Sequence, residues 1–266
     1  MDDFFTRIHA ALMQPEPDAK CAQAARLAEQ WRNGEVAYDQ PVAPIGEPGR
    51  PTRPELVAPQ GAPKRSMGTP EGHAALIHSL AHIEFNAINL ALDAAYRFRG
   101  LPRDFYGDWL KVAAEEAYHF QLLRDHLRIL GFDYGDFAAH NGLWDMAVRT
   151  AHDPLVRMAL VPRLLEARGL DVTPGIRGRL AAIGDHAAVR ILEIIERDEV
   201  GHVAIGNRWY GHLCAQRGVD PVQTFRQLLA EYDAPAFRPP FHVEARRAAG
   251  FTEQEIALLG ADRRSR

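Results

Sequence analysis

Cysteine is nearly absent from this chain: Cys21 and Cys214 are the only two in 266 residues, they lie far apart, and there is no Cys-x-x-Cys. That excludes a disulfide framework and a thiolate zinc site as organising devices, and makes a reducing cytoplasm the expected compartment. Long apolar runs are also missing. The amino terminus, MDDFFTRIHA, opens on acidic residues without the cationic start and apolar stretch that export or membrane insertion need, and no later run approaches a span. No strong charge of one sign appears either. A formal net charge of −4 and a pI near 6.3 give no global attraction to nucleic acid.

What the chain does have is apolar material, 47% of its residues, enough for a large core. Residues 1–33 predict two short helices, with Asp18 as the N-cap of the second and Asn33-Gly34 as its stop. Between Pro41 and Pro70 there are eight prolines and no helical period, so this stretch is a linker or an extended arm. From Thr69-Pro70 to about Arg99 apolar residues recur at three-to-four spacing and Gly100 ends the run. A second long helix follows Leu101-Pro102 and stops at Gly131. The short link makes the two antiparallel neighbours.

Residues 132–151 read as a crossover. A third helix starts at Asp153-Pro154 and gives way to a link at Asp171–Gly175. The fourth begins near Pro174, hesitates at Gly184-Asp185 and continues to Gly218. A short helix near 221–232 and a capping box, Thr252-Glu253-Gln254-Glu255, complete the chain. The expectation is an all-α, ferritin-like four-helix bundle, two antiparallel hairpins joined by a crossover. It divides as a Pro-rich N-terminal arm with its helices (1–68), the bundle (69–218) and a tail of short helices (219–266).

Two Glu-x-x-His pairs, Glu116/His119 and Glu199/His202, fall on the second and fourth long helices, and i, i+3 spacing puts each pair on one face. With 17 Glu and 12 His, chance alone yields about one such pair, so the motif by itself is weak. Two further glutamates sharpen it. Glu84 precedes Glu116 by 32 residues and Glu166 precedes Glu199 by 33, the separation at which a hairpin of this size returns to its starting height. The stripes are apolar: Glu84 runs with Ile77, Leu80, Ala87 and Ile88, Glu116 with Val112, Ala113, Phe120 and Leu123, and Glu199 with Leu192, Ile195 and Val203. Four buried carboxylates cost several kcal/mol each unless compensated, and two divalent cations cancel four negative charges. Four oxygen ligands and two imidazoles suit two iron ions, or manganese, better than structural zinc. Glu196, one turn before Glu199, is a candidate further carboxylate.

The order Glu, Glu-x-x-His, Glu, Glu-x-x-His resembles the di-iron carboxylate proteins of the ferritin-like superfamily. More narrowly, LVPRLLEARGLD (160–171) and RDEVGHVAIGNRWY (197–210) resemble a bacterial ferritin-like family of unknown function near the tRNA-modifying di-iron hydroxylases. The resemblance covers most of the chain. It implies Glu84, Glu116, His119, Glu166, Glu199 and His202 as metal ligands, with Glu115 and Asp198, the acids preceding each paired motif, as groups that orient ligand histidines. The resemblance transfers no substrate and leaves the activity open; paired iron itself points to an oxygen- or peroxide-dependent oxidoreductase of hydroxylase type, with an external electron donor and a small-molecule or tRNA substrate, no membrane partner, and a homodimer as one expected assembly. Peroxidases of this superfamily carry a four-cysteine electron-transfer module, which two cysteines cannot build. Iron oxidation or storage is the alternative, though about a hundred residues outside the bundle would crowd a cage. RNA binding would use Arg50, Arg53, Lys64 and Arg65 with Arg263, Arg264 and Arg266. Of the remaining residues, His78 and His82 read as hydrogen-bonded helix residues, His126 as a neighbour of the ligands, and Trp209 and Tyr210 as packing groups.

Overall fold

The computed structural model describes residues 3–34, 43–58, 66–234 and 238–261. Among these the chain is helical apart from loops and one isolated bridge between Leu56 and Ala139. It forms two compact units, Met1–Asp145 and Met146–Arg266, with the boundary inside the crossover.

The first unit opens with α1 (Phe4–Leu12) and α2 (Pro17–Arg32). Glu16, not Asp18, caps α2, accepting from the Ala19 amide at 3.0 Å. The reason is Pro17: it takes the first helical position, so Asp18 falls within the first turn. The helix ends as expected at Asn33-Gly34, where Gly34 has φ +79°. The long helices α3 (Pro70–Arg97) and α4 (Arg103–Ile129) match their expected spans. Thr69 caps α3 by accepting from the Gly72 amide, and the reversal at 98–102 uses Gly100 at φ +73°. α1 and α2 pack on this hairpin through rings, Phe5 on Tyr106 at 5.3 Å and Trp31 on Tyr106 at 5.8 Å. Each such buried side chain contributes about 1.5–3 kcal/mol.

Lys20 is fully buried in this packing. Its Nζ donates to the carbonyls of Ala11 and Leu12 at 3.2 and 2.7 Å and to Asn89 Oδ1 at 2.6 Å, tying the open end of α1 to α3. Burial holds its ammonium down to about 7. The described part of the Pro-rich stretch is an arm: the Gly49 amide donates to Leu12 O at 3.0 Å, and Val57 and Glu55 bond with Ala139. A Cβ at Gly49 would lie 2.1 Å from Met13 O, so only glycine fits there. The crossover loop is anchored on α3 by two neutral imidazoles. Gly135 N donates to His78 Nε2 at 2.9 Å, while His82 accepts the Tyr134 hydroxyl at Nδ1 and donates from Nε2 to His140 O. Burial pulls both rings down to about 4.

Helix α5 (Gly142–Arg149) runs across the unit boundary. In the second unit α6 (Pro154–Leu160), a π-helical segment (Val161–Glu166) and α7 (Ala167–Ala182) follow without a break. Asp153 caps α6 as expected, accepting from the Leu155 amide. The expected link at Asp171–Gly175, with the fourth helix starting near Pro174, is corrected. Pro174 lies inside α7, and the reversal is 183–185, with Gly184 at φ +84° and Asp185 capping α8 (His186–Arg217). Proline removes one helical hydrogen bond, but packing of α7 against α8 carries the run through it. Gly218 at φ +65° ends α8. Short helices α9 (Pro221–Glu231), α10 (Val243–Ala248) and α11 (Glu253–Ala261) follow. The Thr252/Glu255 capping box forms: Glu255 Oε2 accepts from Thr252 N and Oγ1, and Thr252 Oγ1 accepts from Glu255 N. No helix among the described residues is long and apolar enough to cross a membrane.

Candidate metal centre

The first hairpin is symmetric about its turn. Glu84 lies thirteen residues before the end of α3 at Arg97, and Glu116 thirteen after the start of α4 at Arg103. Antiparallel helices with equal rise therefore set the two carboxylates level. His119, one turn past Glu116, joins them: its Nδ1 is 3.3 Å from Glu84 Oε2 and 3.3 Å from Glu116 Oε2. Each of the three offers a ligand atom within 4.8 Å of the others. Glu116 and His119 are fully buried and Glu84 is 5% exposed.

This cluster sets two carboxylates against one imidazole. Burial, followed by the neighbouring Glu116 charge, pushes the Glu84 carboxyl well above the usual carboxylate range despite His119. Burial pulls the His119 imidazole down, yet hydrogen bonding and charge from Glu116 and Glu84 outweigh it and push it up to about 11. Both shifts have one meaning: two carboxylates and one imidazole, sealed from water, hold protons more tightly than free side chains do. The contacts are also loose. Charge-assisted bonds run at about 2.7–2.9 Å, whereas His119 Nδ1 stands 3.3 Å from Oε2 of both Glu84 and Glu116. A divalent cation would suit such a cluster, since it supplies charge between two buried carboxylates. Oxygen and imidazole donors suit iron or manganese.

The second unit carries the other three residues. Glu199 and His202 share a face of α8, with His202 Nδ1 3.6 Å from Glu199 Oε1; His202 is fully buried and the Glu199 side chain 14% exposed. Glu166 is partly buried and closes the π segment. It stands sixteen residues before the end of α7 and Glu199 thirteen after the start of α8. The offset of three residues is about 4.5 Å along the axis. The corrected turn at 183–185 thus brings this pair near one level, which a link at 171–175 would not do.

The remaining candidates have partners of their own. Glu196 pairs across the hairpin with Arg177 at 2.9 Å, Asp198 with Arg197 at 2.9 Å, and Glu115 with Lys111 at 3.4 Å. His126 lies beside His73, ring centroids 6.4 Å apart. Trp209 and Tyr210 are buried, and the Tyr210 hydroxyl donates to Pro221 O at 2.7 Å. Of the basic residues, Arg50 is held by Glu47 and by Asn141 Oδ1 at 2.8 Å, while Arg53 is exposed. Lys64, Arg65, Arg263, Arg264 and Arg266 lie outside the described residues. Sequence reasoning missed the π segment, whose one signal was Pro162 inside a helical pattern. A Cβ at Gly206 of α8 would sit 2.5 Å from Pro162 Cβ, so the wide turn rests directly on that glycine.

Fold and site together define an all-helical protein with a buried carboxylate–histidine cluster. The chain belongs to the family described as "Protein of unknown function (DUF455)", whose model matches residues 13–257. It is similar to an "Uncharacterized protein" of Haemophilus influenzae, 54% identical over 213 residues that make up 77% of this chain and 74% of the relative. No solved structure matches it.

Proposed function

We propose that the α3–α4 and α7–α8 hairpins form one ferritin-like four-helix bundle whose six inward residues, Glu84, Glu116, His119, Glu166, Glu199 and His202, hold two iron ions. The protein would be a di-iron oxidoreductase of hydroxylase type, using dioxygen or peroxide and an external electron donor. The carrying observation is the Glu84–Glu116–His119 cluster: two buried carboxylates from facing helices, both 3.3 Å from one buried imidazole. The matching register of Glu166 and Glu199 supports a second half of the same kind.

Bound iron would supply the electrons that reduce dioxygen or peroxide. The chain's own part is to bind, orient and keep dry. Glu84 and Glu116 bring carboxylates from facing helices at one height, and the fixed hairpin keeps them there. His119 and His202 add nitrogen donors from fully buried positions that bulk water does not reach. Protons that the metal-free cluster holds on Glu84 and His119 leave when a cation binds, so loading is tighter at higher pH.

The test is dioxygen consumption by the iron-loaded protein. Uptake that depends on a supplied reductant supports the oxidoreductase. Reductant-independent iron oxidation by an assembly of about two dozen chains would replace it with iron storage.

A further inference from the structure

A π turn is an uncommon way to continue a helix, and such turns concentrate at functional sites. A sequence keeps one only where its surroundings over-determine it. Glu166 is the last residue of this one, and the residues on both sides of it are tied to α10 and α11.

Before Glu166 comes Arg163, 3% exposed. Its guanidinium lies 4.7 Å from the Tyr210 ring, 4.5 Å from Phe225 and 4.9 Å from Phe251, and it makes a close ion pair with Glu255 Oε1. Glu255 divides its oxygens, Oε2 closing the capping box of α11 and Oε1 taking the arginine. After Glu166, Arg246 of α10 donates from Nη2 to the Ala167 carbonyl at 3.3 Å and grips Asp171 through Nε at 3.0 Å and Nη2 at 2.7 Å. Arg246 is 1% exposed and Asp171 3%. Buried ion pairs are a poor route to stability, because well-packed apolar side chains often do as well or better; their best-attested use is to fix register. Here the two pairs flank the turn that carries Glu166.

We propose that Arg163, held by Glu255 of α11, and Arg246 of α10, holding Asp171, are positioning residues that set the π register and so aim the Glu166 carboxylate. The inference rests on the two-metal reading of the site. It gives α10 and α11 a role in the metal centre without contributing a ligand.

The test uses the full chain with Glu255→Gln, which keeps the size of the side chain and removes its charge, and Arg163→Lys, which keeps the charge and loses the fork. Hydrogen exchange is followed across 160–170, and iron per chain is measured after anaerobic loading with ferrous iron and desalting. The expected result is exchange about tenfold faster in 160–170 with α8 unchanged. Alongside it, iron affinity drops about tenfold or more, so that the desalted variant retains about one ion where the wild type retains two. Unchanged exchange in both variants overturns the clamp. Faster exchange with undiminished iron overturns the aiming of Glu166. A wild-type protein that takes up no iron overturns the metal reading, and with it this proposal, while the exchange data still say whether the clamp exists. If Glu255→Gln does not fold, Arg163→Lys decides alone.

Discussion

Two glycines five residues apart on α8 should respond in opposite ways to the same substitution. At Gly206 an added Cβ would lie 2.5 Å from Pro162 Cβ and 2.7 Å from its Cγ; at Gly211 nothing lies within 4 Å. Carbon atoms pack at about 3.5–4.0 Å, so Gly206→Ala asks for roughly 1 Å of separation between α8 and the π segment. Pro162 has a rigid ring and cannot swing away. Overpacking of this kind costs about 1–3 kcal/mol, partly offset by the gain of about 0.8–1.0 kcal/mol from replacing glycine with alanine in a helix. The net for Gly206→Ala is a loss of about 0–2 kcal/mol. Gly211→Ala should simply gain about 0.5–1 kcal/mol. Because the propensity term is shared, the difference between the two variants isolates the overpacking, about 1–3 kcal/mol. In equilibrium urea unfolding with a slope of about 2 kcal/mol/M, that is a midpoint separation of roughly 0.5–1.5 M. Equal stabilisation by both alanines would refute the packing of Pro162 on α8, and with it the place of the wide turn.

Lys20→Met should destabilise the protein by about 2–4 kcal/mol in the same assay, because the Ala11 and Leu12 carbonyls and Asn89 Oδ1 lose a buried donor; a change under 0.5 kcal/mol would contradict the role given to it. His78 makes an acid-sensitive anchor. Burial, then the neighbouring His82, lower its pKa from 6.5 to about 4, against the opposing charges of Asp136 and Asp133. Between those values the unfolded chain binds more protons than the folded one, so the stability it contributes is complete above pH 6.5 and drains away as pH falls towards 4. His78→Gln should flatten the stability profile across that window by up to one proton, and a slope equal to that of the wild type would count against a neutral buried ring.

The first hairpin was legible because its signals are local. Thr69-Pro70, Gly100 and Gly131 punctuate the helices, and two glutamates 32 residues apart need only a symmetric turn between them to meet. The second hairpin was misread at one place. Pro174-Gly175 looks like a break, and only packing against α8, which no local pattern reveals, keeps α7 intact to Ala182. The cap of α2 shifted by two residues because proline at the first helical position outranked the better capping side chain of Asp18. Helices α5 and α10 are too short to show a period. Lys20, Arg163 and Arg246 were invisible for a different reason. Their residue types are normally solvated, and each has a polar side-chain partner far away in sequence, Asn89 for Lys20, Glu255 for Arg163 and Asp171 for Arg246. Glu255 shows both sides: its capping box could be read from four adjacent residues, its ion pair with Arg163 could not.

Iron content after anaerobic loading, compared between the wild type and Glu116→Gln, bears most directly on the buried cluster as a metal centre. Glu116 is fully buried, and the amide keeps its shape while removing a charge the cation needs. Two irons per wild-type chain, reduced to one or none in a variant with unchanged circular dichroism, is the expected result. A wild-type chain that elutes without metal, or a Glu116→Gln chain that keeps both ions, would contradict it.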